Sequence, residues 1–343
     1  MTVLIPLLFV IMLLGGRYSI VCGNVLNAQK LGKIRKFIAY FLLIFITSFR
    51  YNVGWDYLTY YKMFDNPGGA PYFELMNRIF YYISQFFNAP WMLFSLFFTS
   101  TMVFILLGIR DRSLNEYESL IIFMALFYFE SMNIIRQFLA IAILFYAFRY
   151  VKSKKLAYYL IWVFIAGLVH TSAWFAIPIY FIYNYVSLKS IVIFTAIGVL
   201  LSGKIAEGIF RINMFYKYYI YYINMLNDGG NFIRYFYLLL AAVGIIVYFQ
   251  KKQLFDEEVP RILSVFIMGT AFPFVLGSHM GLRITYYYAS EIIILIPKML
   301  DQLGIKKSRS VMMLPFYVYY VLFLVVDYMN NKGFSPFVFY WNR

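Results

Sequence analysis

The sequence predicts an all-α polytopic membrane protein, and three observations carry that prediction. Of its 343 residues, 63% are hydrophobic and 13% charged, about half the ~25% charge of an average soluble domain. Apolar blocks such as Pro90–Ile109, Phe232–Phe249 and Ile262–Met280 approach the ~20 residues that cross a bilayer's hydrocarbon. No polar stretch is long enough for a separate soluble domain, so residues 1–343 read as one integral membrane domain.

Taken in order, the first expected span is Thr2–Gly16. It lacks a basic leading region, and Gly15-Gly16-Arg17 is a poor cleavage site, so it reads as a span rather than a removed signal peptide. Further spans are expected at Phe37–Phe49, Pro90–Ile109, Ser119–Ser131, Asn133–Val151 and Leu156–His170. The remainder fall at Ser172–Val186, Ser190–Gly203, Asn231–Phe249, Ile262–Met280, Ile284–Leu300 and Val311–Tyr328. Together they give about 10–12 transmembrane helices. Two connecting segments exceed a turn, residues 65–89 and 204–230. Both are amphipathic and aromatic, as expected of helices lying in the interface plane or covering a groove.

The net charge of +15 divides by loop. One set of loops clusters Lys30, Lys33, Arg35 and Lys36, then Arg110 and Arg112, then Lys152, Lys154 and Lys155, and later Lys251, Lys252, Arg261 and Lys306 to Arg309. By the excess of Lys and Arg, this is the cytoplasmic side, and both termini face outward. The opposite side still keeps Arg50, Lys62, Arg78, Lys204, Arg211, Lys217, Arg234, Arg283, Lys332 and Arg343. Translocated loops normally avoid such residues. Headgroup contacts account for some of them; the alternative is an outward cavity for an anion.

Four polar constellations reach that outward depth. "SFRYNVGWDYLTYY" places Arg50, Gly54, Asp56, Tyr57 and Tyr60 where an apolar run ends. Arg50 reads as an anion ligand or a headgroup anchor, and Asp56 as a base or a helix N-cap. "FESMNIIRQF" brings Glu130, Asn133, Arg136 and Gln137 between two apolar runs, with the last three on one helical face. Charge inside a span faces protein or water, so these residues bind substrate, or Glu130 pairs with Arg136 at a helix break. His170 in "LVHTSAW" lies between apolar stretches beside a Thr-Ser turn, and "GSHMGLR" adds His279 and Arg283. Two histidines and one cysteine, Cys22, supply neither a metal-ligand spacing nor a disulfide framework. No phosphate-binding glycine loop or dinucleotide fingerprint occurs, so no cofactor is expected.

"FRYNVGWDYLTYYKMF" resembles the R-x-x-x-G-x-D-x-x-x-Y-Y signature of the EpsG/Wzy-type polysaccharide polymerases. "NIIRQFLAIAILFYAFRYVKSKK" and "YYLIWVFIAGLVHTSAWFAIPIYFI" resemble that family's later I-R-Q and H-x-S-A blocks, in the same order. The R-x₁₀-G loop motif of some O-antigen polymerases does not occur here. The resemblance implies a GT-C-like membrane glycosyltransferase of the bacterial inner membrane, acting on its outer face. It would join undecaprenyl-pyrophosphate-linked glycans, alongside a flippase and a chain-length regulator, with no nucleic acid involved. In such a reaction Arg50, Arg136 and Arg283 would neutralise the departing pyrophosphate, with Gln137 positioning it and Asn133 and His279 among the substrate-binding residues. Asp56 or His170, with Glu130 third, would activate the acceptor hydroxyl. Tyr57, Tyr60 and the Phe210–Tyr222 run with Arg211 and Lys217 would face sugar. The competing expectations are a lipid-linked glycan flippase or other anion transporter, an O-antigen-ligase-like transferase, or an acyltransferase using His170.

Overall fold

The computed structural model describes residues 3–4, 7, 25–54, 56–65, 74–205, 231–305, 309–329, 333–334 and 337–342. Most of the expected first span, residues 66–73 and the 206–230 segment with Arg211 and Lys217 lie outside them.

The chain is helical throughout the described residues, with one short bridge of strand. In order the elements are α1 (Val25–Ser48), β1 (Arg50–Tyr51), α2 (Tyr57–Asp65), α3 (Leu75–Phe86), α4 (Pro90–Arg112), α5 (Glu116–Leu126), α6 (Tyr128–Asn133) and α7 (Ile135–Lys152). Then follow α8 (Leu156–Gly167), a 3-10 turn (Thr171–Ala176), α9 (Ile177–Tyr185), α10 (Leu188–Leu200), α11 (Asn231–Gln250) and α12 (Glu258–Val275). The last are α13 (Ser278–Ala289), α14 (Ile292–Gln302), α15 (Arg309–Met312), α16 (Leu314–Met329) and β2 (Val338–Phe339). Four helical stretches are long and apolar enough to cross a membrane: Pro90–Arg112, Ile233–Gln250, Glu258–Val275 and Arg309–Met329. α4 packs along α7, α1 and α3, while α12 packs along α13, α10 and α11.

Several of the other expected spans are shorter or broken. Ser119–Ser131 is α5 and α6, joined at Phe127 with φ −130°. Ile284–Leu300 is α13 and α14, which meet at Ser290-Glu291. Ser172–Val186 opens as a 3-10 turn before α9. Breaks inside hydrocarbon free backbone groups that must find partners in the protein, and the two prolines show how. Pro273 within α12 and Pro297 within α14 each release the carbonyl four residues earlier. The Gly269 carbonyl accepts instead from Thr285 Oγ1 at 2.8 Å, and the Ile293 carbonyl from Ser119 Oγ at 2.7 Å.

α12 and α13 cross at glycine. A Cβ added to Gly281 would stand 2.3 Å from the Phe272 carbonyl oxygen, and one on Gly269 would stand 2.5 Å from Tyr288 Cβ. The obstacle at Gly281 is backbone, which cannot swing aside. Gly281→Ala is therefore expected to force the two helices apart, at a cost of at least about 1–3 kcal/mol. The midpoint of thermal unfolding in detergent should fall; an unchanged midpoint would show that the helices cross elsewhere.

The two ends of the bundle differ in how charge is held. At one end lie Lys36–Glu116 (2.8 Å), Arg112–Glu291 (2.5 Å), Lys152–Glu258 (2.9 Å), Lys298 with Asp256 and Glu258, and Arg309 with Glu118. These cations belong largely to the loops expected in the cytoplasm, and acids meet them in closed pairs. Asp256 is a case in point. Burial alone would raise its carboxyl, yet hydrogen bonds from Lys298 and Gln302 hold it below the usual range. The end of α1, the start of α4, the start of α7 and the start of α13 gather at the opposite end.

Candidate active site

The loop after α1 is built around a buried arginine. Arg50 is fully buried. Its Nε donates to the Val53 carbonyl at 3.0 Å, Nη1 to Thr47 at 2.8 Å, and Nη2 to Met132, 82 residues away, at 2.9 Å. The Phe94 ring lies 5.2 Å from the guanidinium carbon. In this arrangement the guanidinium fastens the loop onto the end of α6, and its fork is occupied by backbone. Tyr57 is likewise enclosed, its ring stacked on Phe94 with centroids 4.3 Å apart. These two residues, expected to meet pyrophosphate and sugar, form the floor beneath the site.

Gly54 explains its own place in the motif. It adopts φ +97°, a conformation readily open only to glycine. A Cβ there would meet Asn133 Oδ1 at 3.0 Å and the Met132 carbonyl at 3.3 Å. Asn133 thus stands against the loop backbone. A segment remote in sequence secures the same loop: β1 pairs antiparallel with β2, Arg50 opposite Phe339. Gly54 N donates to the Gly333 carbonyl at 2.8 Å, and Tyr340 N to that of Phe49 at 2.8 Å.

Above this floor the polar groups converge. Arg136, in the first turn of α7, donates from Nε to Tyr60 Oη at 3.0 Å and from Nη1 to Glu74 Oε2 at 2.7 Å. The sequence offered Glu130 as its carboxylate partner; the ion pair is with Glu74. That carboxylate also accepts from Asn77 Nδ2 at 2.8 Å, and the same amide donates to the Val169 carbonyl at 2.7 Å. With Met76 N donating to Leu168 O, these bonds tie the start of α3 to the turn that carries His170. Glu74 is the residue that sequence reasoning missed. Its signal was its position at the head of an amphipathic helix whose polar residues Asn77 and Ser84 face inward.

His170 opens the 3-10 turn, where Nδ1 lies 3.2 Å from Ser172 N and 2.7 Å from Ser172 Oγ. Ser172 Oγ is 2.9 Å from Tyr287 Oη on α13. Gln137, buried, donates to the Arg283 carbonyl at 2.8 Å and hydrogen-bonds the Tyr287 hydroxyl. Gln137 therefore positions α13 rather than a substrate. The Arg283 charge reaches Asp56, Glu130, His279 and, more weakly, His170. Glu130 is hydrogen-bonded to Tyr286. Asp56 stands immediately before α2. Burial raises its carboxyl above the usual range, and the Arg283 and Arg136 charges pull it back in part. Among the described residues no group of three or more His, Cys, Asp and Glu side chains lies together as a metal-ligand set.

A site of this kind, with two guanidinium groups beside a carboxylate and an imidazole, can bind an anion and accept a proton. The EpsG family model matches residues 33–340, nearly the whole chain. The chain belongs to the EpsG family. That agrees with the resemblance of the three sequence blocks. Membership in the EpsG family supports, in general terms, a membrane-embedded, glycosyltransferase-like polymerase of polysaccharide synthesis. No curated protein and no solved structure matches the chain.

Proposed function

We propose that this EpsG-family chain joins undecaprenyl-pyrophosphate-linked oligosaccharide repeat units into O-antigen, capsular or exopolysaccharide chains. The observation that carries the reading is the convergence of Arg136, Arg283, Asp56 and His170 at one end of the bundle, away from the ion-paired end. That ion-paired end holds most of the clustered Lys and Arg and so faces the cytoplasm. The site then opens to the periplasm or cell exterior of a bacterial inner membrane. A GT-C-like arrangement, with its reacting groups on the outer face, is part of the same proposal.

In this reaction an acceptor sugar hydroxyl attacks the anomeric carbon of the donor glycan. The new glycosidic bond forms as the bond from that carbon to the pyrophosphate oxygen breaks. The hydroxyl proton passes to a base, and the electron pair leaves with the lipid pyrophosphate. Arg136 and Arg283 supply positive charge where that negative charge grows, which allows transfer without a bound metal. The base is one of the two groups Asp56 and His170. Tyr60 holds Arg136 in place.

α3 suits a lipid-borne substrate. It turns Leu75, Ile79, Tyr82, Ile83 and Phe86 outward while Glu74 at its head reaches Arg136. A helix of this kind lies at the membrane surface with its apolar side in the acyl boundary. It would bring the lipid's pyrophosphate to the arginines directly from the bilayer. A flippase would deliver the repeat units, and a chain-length regulator would act on the growing product.

Purified protein in liposomes, given lipid-linked repeat units alone, is expected to yield a ladder of polymer and free lipid pyrophosphate. Movement of the units across the bilayer without bond formation would overturn the reading in favour of a flippase.

A further inference from the structure

The two histidine nitrogens are not equivalent, and the turn around His170 fixes which one carries the proton. A backbone N–H can only donate. Ser172 N lies 3.2 Å from His170 Nδ1, so Nδ1 presents its lone pair to that amide. Ser172 Oγ, 2.7 Å from the same nitrogen, has one hydrogen to give and is itself reached by Tyr287 Oη at 2.9 Å. The chain Tyr287 to Ser172 to His170 therefore runs with every donor pointing toward Nδ1. A neutral imidazole has one protonated nitrogen, and with Nδ1 committed as an acceptor the proton sits on Nε2.

We propose that His170 is a fixed hydrogen-bond donor through Nε2–H, and that the acceptor hydroxyl's proton goes to the carboxylate of Asp56. The consequence for catalysis rests on the polymerase reading above, whereas the tautomer rests on geometry alone. The nitrogen that would have to accept a substrate proton is the one that already holds a hydrogen. It can instead donate to an oxygen that gains negative charge, as Arg136 and Arg283 do beside it. The other carboxylates are engaged: Glu74 by Arg136 and Asn77, and Glu130 by Tyr286. Asp56 stands within the field of both arginines, in a loop that Arg50 and the β1–β2 bridge hold still. Ser172 and Tyr287 are positioning residues that act through the imidazole.

The test has two arms. The chain has two histidines, so in ¹⁵N-histidine-labelled protein the signals lost in His170→Gln belong to His170. They should show an unprotonated Nδ1 and a protonated Nε2, with the pattern weakened or mixed in Ser172→Ala. A protonated Nδ1 would overturn the assignment, whatever reaction the protein performs. In the second arm His170→Gln, which keeps an N–H donor but no basic atom, should retain polymerisation within about tenfold. His170→Ala and Asp56→Asn should each lose at least about 100-fold. Equal inactivity of His170→Gln and His170→Ala would overturn the donor role. Should the wild-type protein form no polymer, the polymerase reading fails and the first arm still decides the tautomer.

Discussion

Arg136→Ala is expected to lower polymer formation by at least about 100-fold, the usual loss when a charge-stabilising donor is removed from a transition state. Two features make the effect large. The side chain is a quarter exposed, so one part of its guanidinium reaches the open side while the rest holds Tyr60 and Glu74. Removing it also leaves the Glu74 carboxylate uncompensated at the place where a pyrophosphate must sit, adding repulsion to the lost attraction. Fold should survive, because the first turn of α7 is otherwise anchored by buried Ile135, Gln137 and Phe138. Arg136→Lys keeps the charge but not the planar fork, so an intermediate rate is expected. The assay is polymer length and yield from lipid-linked repeat units at matched protein levels. Full-length chains from Arg136→Ala would remove this residue from the site.

The second large effect is on stability. Arg50→Met is expected to remove most folded protein, because three carbonyls lose their donors at once. An orphaned buried acceptor costs about 1–3 kcal/mol, so the sum is at least about 3 kcal/mol. The loss would fall on the loop and on α6 together, since that one guanidinium joins the carbonyls of Thr47 and Val53 to that of Met132. The checks are yield, monodispersity and thermal midpoint in detergent. A well-folded Arg50→Met protein that merely bound substrate more weakly would restore the anion-ligand role its sequence suggests.

That contrast shows where sequence reading reached and where it stopped. Asp56, Arg136, His170 and Arg283 were legible because charge at the end of an apolar run is costly, and four such runs ended at one depth. Arg50 was legible as unusual but not as inward, since its third partner is a carbonyl 82 residues away. Glu74 sits in an ordinary amphipathic stretch, and only the fold brings it to Arg136, 62 residues on. The breaks at Phe127 and Ser290 were invisible because hydropathy continues across them. So were Thr285 and Ser119, whose hydroxyls take up the carbonyls that Pro273 and Pro297 release. The tail strand Val338–Phe339 carries no pattern that names Arg50–Tyr51 as its mate.

On the proposed reaction, the outward arginines Arg136 and Arg283 hold the lipid pyrophosphate. An experimental structure of the protein with undecaprenyl pyrophosphate bound tests it most directly. Phosphate oxygens are expected within hydrogen-bond distance of both Arg136 and Arg283, with the Glu74 pair opened or shared and Arg50 still on its three carbonyls. A pyrophosphate seated instead at the other end, among Lys298, Arg309 and Lys152, would contradict it.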